Sequence, residues 1–242
     1  MGSNLGILTS YLELRDNLTE NERHLINSLP HEIRLYKRHD DLVKDHSSPN
    51  VSCVLTKGYA ARAIYMESGK RQLTAVHIPG DFVDLHALLL KVMDHSVVAL
   101  TDCEAAFIPH EKLRAISEDA PHLSRLLWLS TVIDAAISRA WLTCIGRRSP
   151  SQHIAHLFCE IYVRLQAVGL AADNSFSFPI TQSDLADMLG LSIVHVNKTL
   201  AQLRAMQMFV WKGTTVEIGD FAKLATFADF DPVYLSLAKI PR

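Results

Sequence analysis

PITQSDLADMLGLSIVHVNKTLAQLRAM, residues 179–206, reads as two helices joined by a tight turn. Thr181 is placed to cap the first helix, and Asp184, three residues on, brings a carboxylate to its positive end. Leu185, Met188 and Leu189 then recur as a buried helical stripe, and Ala186 is small where a second helix must cross closely. Gly190 falls at the sharp turn, where a positive φ costs glycine little. Ser192 is placed to cap the second helix, whose inner stripe is Val196, Leu200 and Leu203. Ile193, Val194, His195, Asn197 and Lys198 are left on or near its outer face.

The spacing of Leu185, Ala186, Gly190, Leu191 and Val196 fits a helix-turn-helix, whose second helix enters the DNA major groove. A helical hairpin inside any globular core offers the same residue types, so the next stretch matters. Residues 208–211 and 214–218 are short apolar runs about Lys212-Gly213, which predicts a β-hairpin. A hairpin directly after a recognition helix is the wing of a winged helix, and the pair is far more specific than either part.

The 242 residues suit one large domain or two small ones, and 48% hydrophobic content supplies ample core. No apolar run approaches the roughly 18 to 20 residues of a membrane span, so no membrane partner is expected. The opening MGSNLGILTSYLELRD lacks a basic stretch followed by an apolar one, so no secretory signal is expected and a cytoplasmic location is. Cys53, Cys103, Cys144 and Cys159 are scattered with no CxxC pair, as reduced, buried thiols would be. The formal net charge is −2, and from Arg147 onward 9 Lys+Arg stand against 8 Asp+Glu, or +1. So weak a field means that DNA binding must rest on a few placed cations and on dimerisation.

In chain order, residues 5–29 read as a helix, with Thr19 and Glu22 as a T-x-x-E capping box, Leu25, Ile26 and Leu29 on the apolar face, and Pro30 as the stop. Residues 31–109 are short β-rich runs divided by turns at Ser48-Pro49-Asn50, Ser68-Gly69-Lys70 and Pro79-Gly80-Asp81, the pattern of an antiparallel barrel or jelly roll. Within them LHALLLKVM, residues 85–93, reads as a short apolar helix. A short helix over 111–117 precedes a long one from Pro121 to about Ile145. Along the long helix Leu123, Leu126, Ser130, Ile133, Ile137, Ala140 and Cys144 recur in alternating steps of three and four, a heptad seam. Leu127, Val132, Ala136 and Trp141 form a second apolar face. Such a helix either lies in a core or packs one face on its own domain and the other on a twin. Palindromic DNA favours the twin, which makes Leu126, Ser130, Ile133, Ile137, Ala140 and Cys144 the expected homodimer interface.

Gly146 is expected to break this helix, with Arg147-Arg148-Ser149-Pro150 as a hinge. A helix over 151–168, a loop at Asp173-Asn174-Ser175, and a short helix near 221–227 complete the chain. The fold class is therefore α+β. Residues 1–120 form an N-terminal antiparallel β-roll (jelly-roll-like) sensor domain with an N-terminal helix. Residues 121–146 are a dimerisation helix, and 147–242 a C-terminal winged helix-turn-helix.

This order of parts resembles the Crp/Fnr family of bacterial transcription regulators over nearly the whole chain. The carrying residues are PGDF at 79–82, LTDCEAAFIP at 100–109, the long helix, and TQSDLADMLGLSIVHVNKTL at 181–200. A subgroup with segments like DFVDLHALLL, GRRSPSQHIAHLFCE and SIVHVNKTL is especially similar. The resemblance implies a cyclic nucleotide-binding-like sensor roll, a homodimer on double-stranded DNA, RNA polymerase as a further partner, and an unknown small-molecule effector. Binding of that effector would shift the long helices and re-aim the recognition helices. Cyclic-AMP-binding members carry a glutamate for the ribose hydroxyl, and an Arg-Ser pair whose arginine neutralises the cyclic phosphate. The matching positions here are Asp84, Leu85, His95 and Ser96, of which only the serine agrees. With a carboxylate and no arginine at those positions, cyclic AMP is not expected. The N-terminal cysteine cluster of the iron–sulfur members is missing too, so that cofactor is not expected either. Asp84, His86, His95 and Ser96 remain as the candidate effector pocket.

By the same resemblance, Lys198 stands where relatives place a base-reading arginine, and Val194 where many place a glutamate that pairs with cytosine. Thr181, Gln182 and Arg147 are the expected phosphate contacts; Asn197 is placed for a base or a phosphate, and Ser192, Ile193 and His195 complete the expected DNA-binding set. Two other functions compete. His77, His86, His95 and Glu104 invite a cupin-like metal-dependent enzyme, yet no HxH or HxxxH pair shares a strand. A nucleophile context, a Walker loop and GxGxxG are all missing, so no catalytic or metal-binding residue is assigned. A dimeric interaction module that has lost DNA is opposed by Asn197 and Lys198.

Overall fold

The computed structural model describes residues 5–242. Residues 1–4, the head of the stretch read for a signal sequence, lie outside the described residues. Among the described residues no helix is long and apolar enough to cross a membrane. The chain forms two compact units.

The first unit holds the chain up to Ile64, Ala75–Ala135 and Ser236–Arg242. It begins with two helices, α1 (Gly6–Glu13) and α2 (Glu20–Asn27), where the sequence predicts one. Thr19 adopts an extended backbone, φ −70° and ψ 161°, and its hydroxyl accepts from the Glu22 amide. The Glu22 carboxylate accepts in return from the Thr19 amide at 2.8 Å. That capping box is what starts a second helix instead of prolonging the first.

Seven strands follow: β1 (Glu32–Tyr36), β2 (Asp41–Val43), β3 (Val51–Lys57), β4 (Ala60–Tyr65), β5 (Arg71–His77), β6 (Ser96–Ala99) and β7 (Cys103–Pro109). They form two antiparallel sheets, β1-β7-β3 and β2-β6-β4-β5. Leu42, Val43 and Val97 of one sheet pack with Leu55, Ala105 and Phe107 of the other. Each large buried side chain contributes roughly 1.5–3 kcal/mol. The β3–β4 turn depends on Gly58, at φ +87°, where a Cβ would stand 2.4 Å from the Asp102 carbonyl oxygen. The apolar run at 85–93 yields only α3 (Ala87–Leu90). Helices α4 (His110–Asp119) and α5 (Pro121–Arg147) come next. Gly146 does not end α5, because a lone glycine costs only about 1 kcal/mol in a helix. The stop comes at Ser149, which caps the next helix in a box with Gln152 and is followed by Pro150. The tail returns to this unit, the Arg242 amide donating to Asp16 at 2.7 Å and the Ile240 amide to the Arg15 carbonyl at 3.0 Å.

The second unit holds Tyr65–Thr74 and Ala136–Leu235. Its elements are α6 (Pro150–Ala167), β8 (Ala171–Ala172), β9 (Ser175–Ser177), α7 (Gln182–Leu189), α8 (Ile193–Ala205), β10 (Phe209–Lys212), β11 (Thr215–Ile218) and α9 (Phe221–Ala228). A 3-10 turn at Pro232–Leu235 follows. The strands form one sheet, β10-β11-β9-β8. The loop expected at 173–175 is the turn of the β8–β9 hairpin, with Asp173 and Asn174 at φ 49° and 56°. Asp and Asn tolerate that left-handed backbone, and a turn of this kind closes a hairpin. Fully buried Phe158 centres the unit's aromatic core, its ring 4.6 Å from Phe209 and 5.5 Å from Phe178.

The long helix corrects the expected dimer seam. Leu126, Ile133, Ile137 and Cys144 are buried within the single chain, and Ser130 and Ala140 are partly covered. Those side chains are spent on the chain's own core. The stripe left outside is Arg125, Trp128, Val132, Ala135, Arg139, Leu142 and Gly146, itself in steps of three and four. Two apolar heptads on one helix share a period, and periodicity cannot say which of them faces inward.

Candidate nucleic-acid interface

The recognition element is built by its caps and its turn. Thr181 caps α7, its hydroxyl accepting from the Asp184 amide, while Asp184 Oδ2 accepts from the Thr181 amide at 3.0 Å. Gly190 ends α7 at φ +66° and ψ 30°. Two residues later the Ser192 hydroxyl accepts from the His195 amide at 3.2 Å and starts α8. Each such cap stabilises its helix by about 1 kcal/mol. Leu185, Ala186, Met188 and Leu189 are buried, as are Val196, Leu200 and Leu203, so α8 is fixed along one side.

Its other side is open. Ser192, Ile193, Val194, His195, Asn197 and Lys198 are all exposed, Val194 at 79%. Thr181 and Gln182, at the start of α7, are exposed as well, and so is Arg147 at the last turn of α5. From Met188 to Val216 the chain contains no Asp or Glu but carries Lys198, Arg204 and Lys212. The weak charge of the whole half therefore hides a locally cationic surface. Arg204 and Trp211 were not singled out from sequence. They line a cleft of about 200 Å³ with Gln182, Leu200 and Gly213. An acid-free run through the motif and its hairpin is the sequence signal that would have found Arg204. Asp184 and Asp187, behind the exposed face, are both held by Arg71, at 2.8 and 2.7 Å.

Of the four candidate effector residues in the first unit, Asp84, His95 and Ser96 bond to different partners. Asp84 Oδ1 accepts from the Cys53 amide at 2.7 Å, and burial pushes its carboxyl up to about 7. The Ser96 hydroxyl accepts from the Asp45 amide. The His86 and His95 rings meet, with centroids 5.1 Å apart. The arginine missing from the expected position comes from another strand. Arg62 of β4 donates through Nε to His95 Nε2 at 3.3 Å and through Nη2 to Asp134 of α5 at 2.6 Å. Against the upward pull of burial, Arg62 and His77 hold the Asp134 carboxyl below its ordinary value. Burial, and then Arg62, lower His86 to about 4 and depress His95. Glu104 is elsewhere, bonded to Lys57 and Thr56. Among the described residues no group of three His, Cys, Asp or Glu side chains could hold a metal.

Comparison with known proteins follows the same division. Residues 33–120 match the cyclic nucleotide-binding domain family, and residues 152–227 the Crp-like helix-turn-helix domain family. The transcriptional activator protein FnrL of Cereibacter sphaeroides is 28% identical over 185 residues, 75% of this chain and 73% of that protein. The transcriptional activator protein anr of Pseudomonas aeruginosa is 23% identical over 162 residues, 67% of this chain and 66% of that one. Among solved structures, FixK2 from Bradyrhizobium japonicum superposes with a TM-score of 0.73 at 19% identity, covering 82% of this chain and 98% of that one. With a sensor roll, a long helix and a winged helix-turn-helix in that order, the chain belongs to the Crp/Fnr family and is a DNA-binding transcription regulator.

Proposed function

We propose that this regulator binds a two-fold symmetric DNA site as a homodimer, in the cytoplasm, with its sensor roll independent of cyclic AMP. The observation that carries the dimer is the exposed stripe of α5. Trp128 and Leu142 are each 70% exposed and Val132 45%, at heptad positions with Ala135 between them. Uncovered aromatic and aliphatic side chains in an unbroken heptad fit a twin helix, which would bury them in knobs-into-holes packing. A dimer joined there presents two copies of α8, as a palindromic site requires.

Independence from cyclic AMP is supported by the state of Arg62. A cyclic phosphate needs a free guanidinium, and this one is neutralised by Asp134 at 2.6 Å. Any effector must compete with that ion pair. The relatives named as transcriptional activators support RNA polymerase as a further partner at a promoter. Selection from a randomised DNA library, with sedimentation of the selected complex, tests the reading. Two copies of the chain on an inverted repeat, with half-sites about 34 Å apart, are expected. A single copy on an asymmetric site would overturn it.

A further inference from the structure

Around the Arg62–Asp134 pair the first unit gathers more titratable groups than an ion pair needs. Arg62 projects from β4, and His77 stands at the end of β5, 3.9 Å from Asp81. His86 lies just before α3, Asp94 and His95 just before β6, and Asp134 on α5. The protonation of His95 is fixed by its neighbours. Arg62 Nε can only donate, so the His95 Nε2 that it meets at 3.3 Å must be the acceptor. The ring proton is then on Nδ1, donated to Asp94 at 2.7 Å. His86 Nε2 is buried with no hydrogen-bond partner, in a ring 5.1 Å from that of His95.

We propose that Arg62, His86, His95 and Asp134 form a proton-operated latch, which ties α5 to the roll when both imidazoles are neutral and releases it when they charge. A proton on His95 Nε2 removes the acceptor that Arg62 uses and sets two cations against each other. A proton on His86 Nε2 buries a charged donor without an acceptor, again beside Arg62. Asp94 and Asp134 offset part of this, and His77 adds a further cation once protonated. Asp134 shares its turn of α5 with Val132 and Ala135, so release frees the part of the helix assigned above to the dimer seam. That consequence rests on the proposed dimer; the latch itself does not.

The sign follows from linkage. A histidine near 4 when latched and near its ordinary 6.5 when released binds protons more readily in the released state. At pH 5.5 this favours release about tenfold for His86 alone, while at pH 7.5 it contributes almost nothing. Hydrogen–deuterium exchange over residues 129–137, corrected for intrinsic rates, reads the opening directly and without DNA. Opening should rise about tenfold or more in the wild type between pH 7.5 and 5.5, and much less in His86→Gln. Asp134→Asn should open the segment equally at both pH values. Should His86→Gln not fold, NMR titration of the wild-type imidazoles replaces it, with His86 expected near 4 and His95 below its ordinary value. Equal pH responses in wild type and His86→Gln, or imidazoles titrating near 6.5, would overturn the latch. Neither result bears on DNA recognition, which is measured separately at pH 7.5. Working through the variants also keeps exposed His195, on the recognition helix, out of the comparison.

Discussion

Trp141 Nε1 donates to Glu160 Oε2 at 3.1 Å, joining the distal part of α5 to α6 through a carboxylate that solvent does not reach. The Tyr234 hydroxyl donates to the same oxygen at 2.8 Å, and Arg164 to the other at 3.2 Å. Three donors from three elements offset the cost of burying this charge, and they anchor the 3-10 turn to the helix that carries the winged motif. Removing a single donor, in Tyr234→Phe, should cost about 1–3 kcal/mol. Removing the carboxylate, in Glu160→Leu, takes the acceptor from the Trp141 and Tyr234 donors and the counter-charge from Arg164, and should cost about 3–5 kcal/mol. Urea denaturation checks both, and a Glu160→Leu midpoint equal to wild type would show that Arg164 finds other partners at no cost.

Asp84 makes stability depend on pH with an unusual sign. Burial raises its carboxyl from 3.8 to about 7, and Oδ2 has no hydrogen-bond partner. Between those values the folded state holds a proton that the unfolded chain has lost, so stability falls as pH rises from about 4 through 7. Asp84→Asn keeps an oxygen for the Cys53 amide and cannot ionise. It should be about 4 kcal/mol more stable than wild type at pH 8, no different at pH 3.5, and flatter in between. Melting curves across that range decide it.

The dimer seam separates into two kinds of substitution. Val132→Glu with Leu142→Glu places charges on the uncovered stripe, so the monomer should keep its circular dichroism and melting behaviour while sedimenting as one chain. Ile133→Glu places a charge in the chain's own core and should destabilise the fold by several kcal/mol. A dimer that survives the double substitution would move the interface off this stripe.

How much of this was legible in the sequence depends on whether the deciding interaction is local. Caps at Thr19, Thr181 and Ser192 and the turn at Gly190 act within four residues, and the sequence specifies them directly. At 5–29 the helical pattern runs on across Thr19, whereas the Thr19–Glu22 capping box divides it into α1 and α2. The α5 seam failed for another reason: Leu126 and Trp128 sit on faces with the same heptad period, and tertiary packing alone chooses between them. Arg62 was invisible as a partner of His95 because 33 residues separate them. Only the pairing of β4 with β6 brings strand positions around 62 and 97 together.

The recognition helix offers the most direct test. Lys198 is exposed on α8 one turn beyond Val194, and no acidic residue lies within ten positions of it on either side. Its ammonium is thus available to guanine O6 or N7 in the major groove, with less geometric rigidity than an arginine fork. Val194 can give only apolar contact, such as to a thymine methyl, so the base pair it faces should be read less strictly than by a glutamate. Thr181 and Gln182 at the start of α7, and Arg147 at the end of α5, suit phosphates, which fix register without reading sequence. Lys198→Ala should therefore cost about 1–3 kcal/mol per half-site and relax preference at one symmetric base pair. Gln182→Ala should weaken all sequences alike. Competitive binding over a randomised palindrome library, run for wild type and both variants at one salt concentration, distinguishes the two effects. If Lys198→Ala leaves affinity and base preference unchanged, the base-reading role falls to another part of the surface, with Asn197 and Arg204 the next side chains to test.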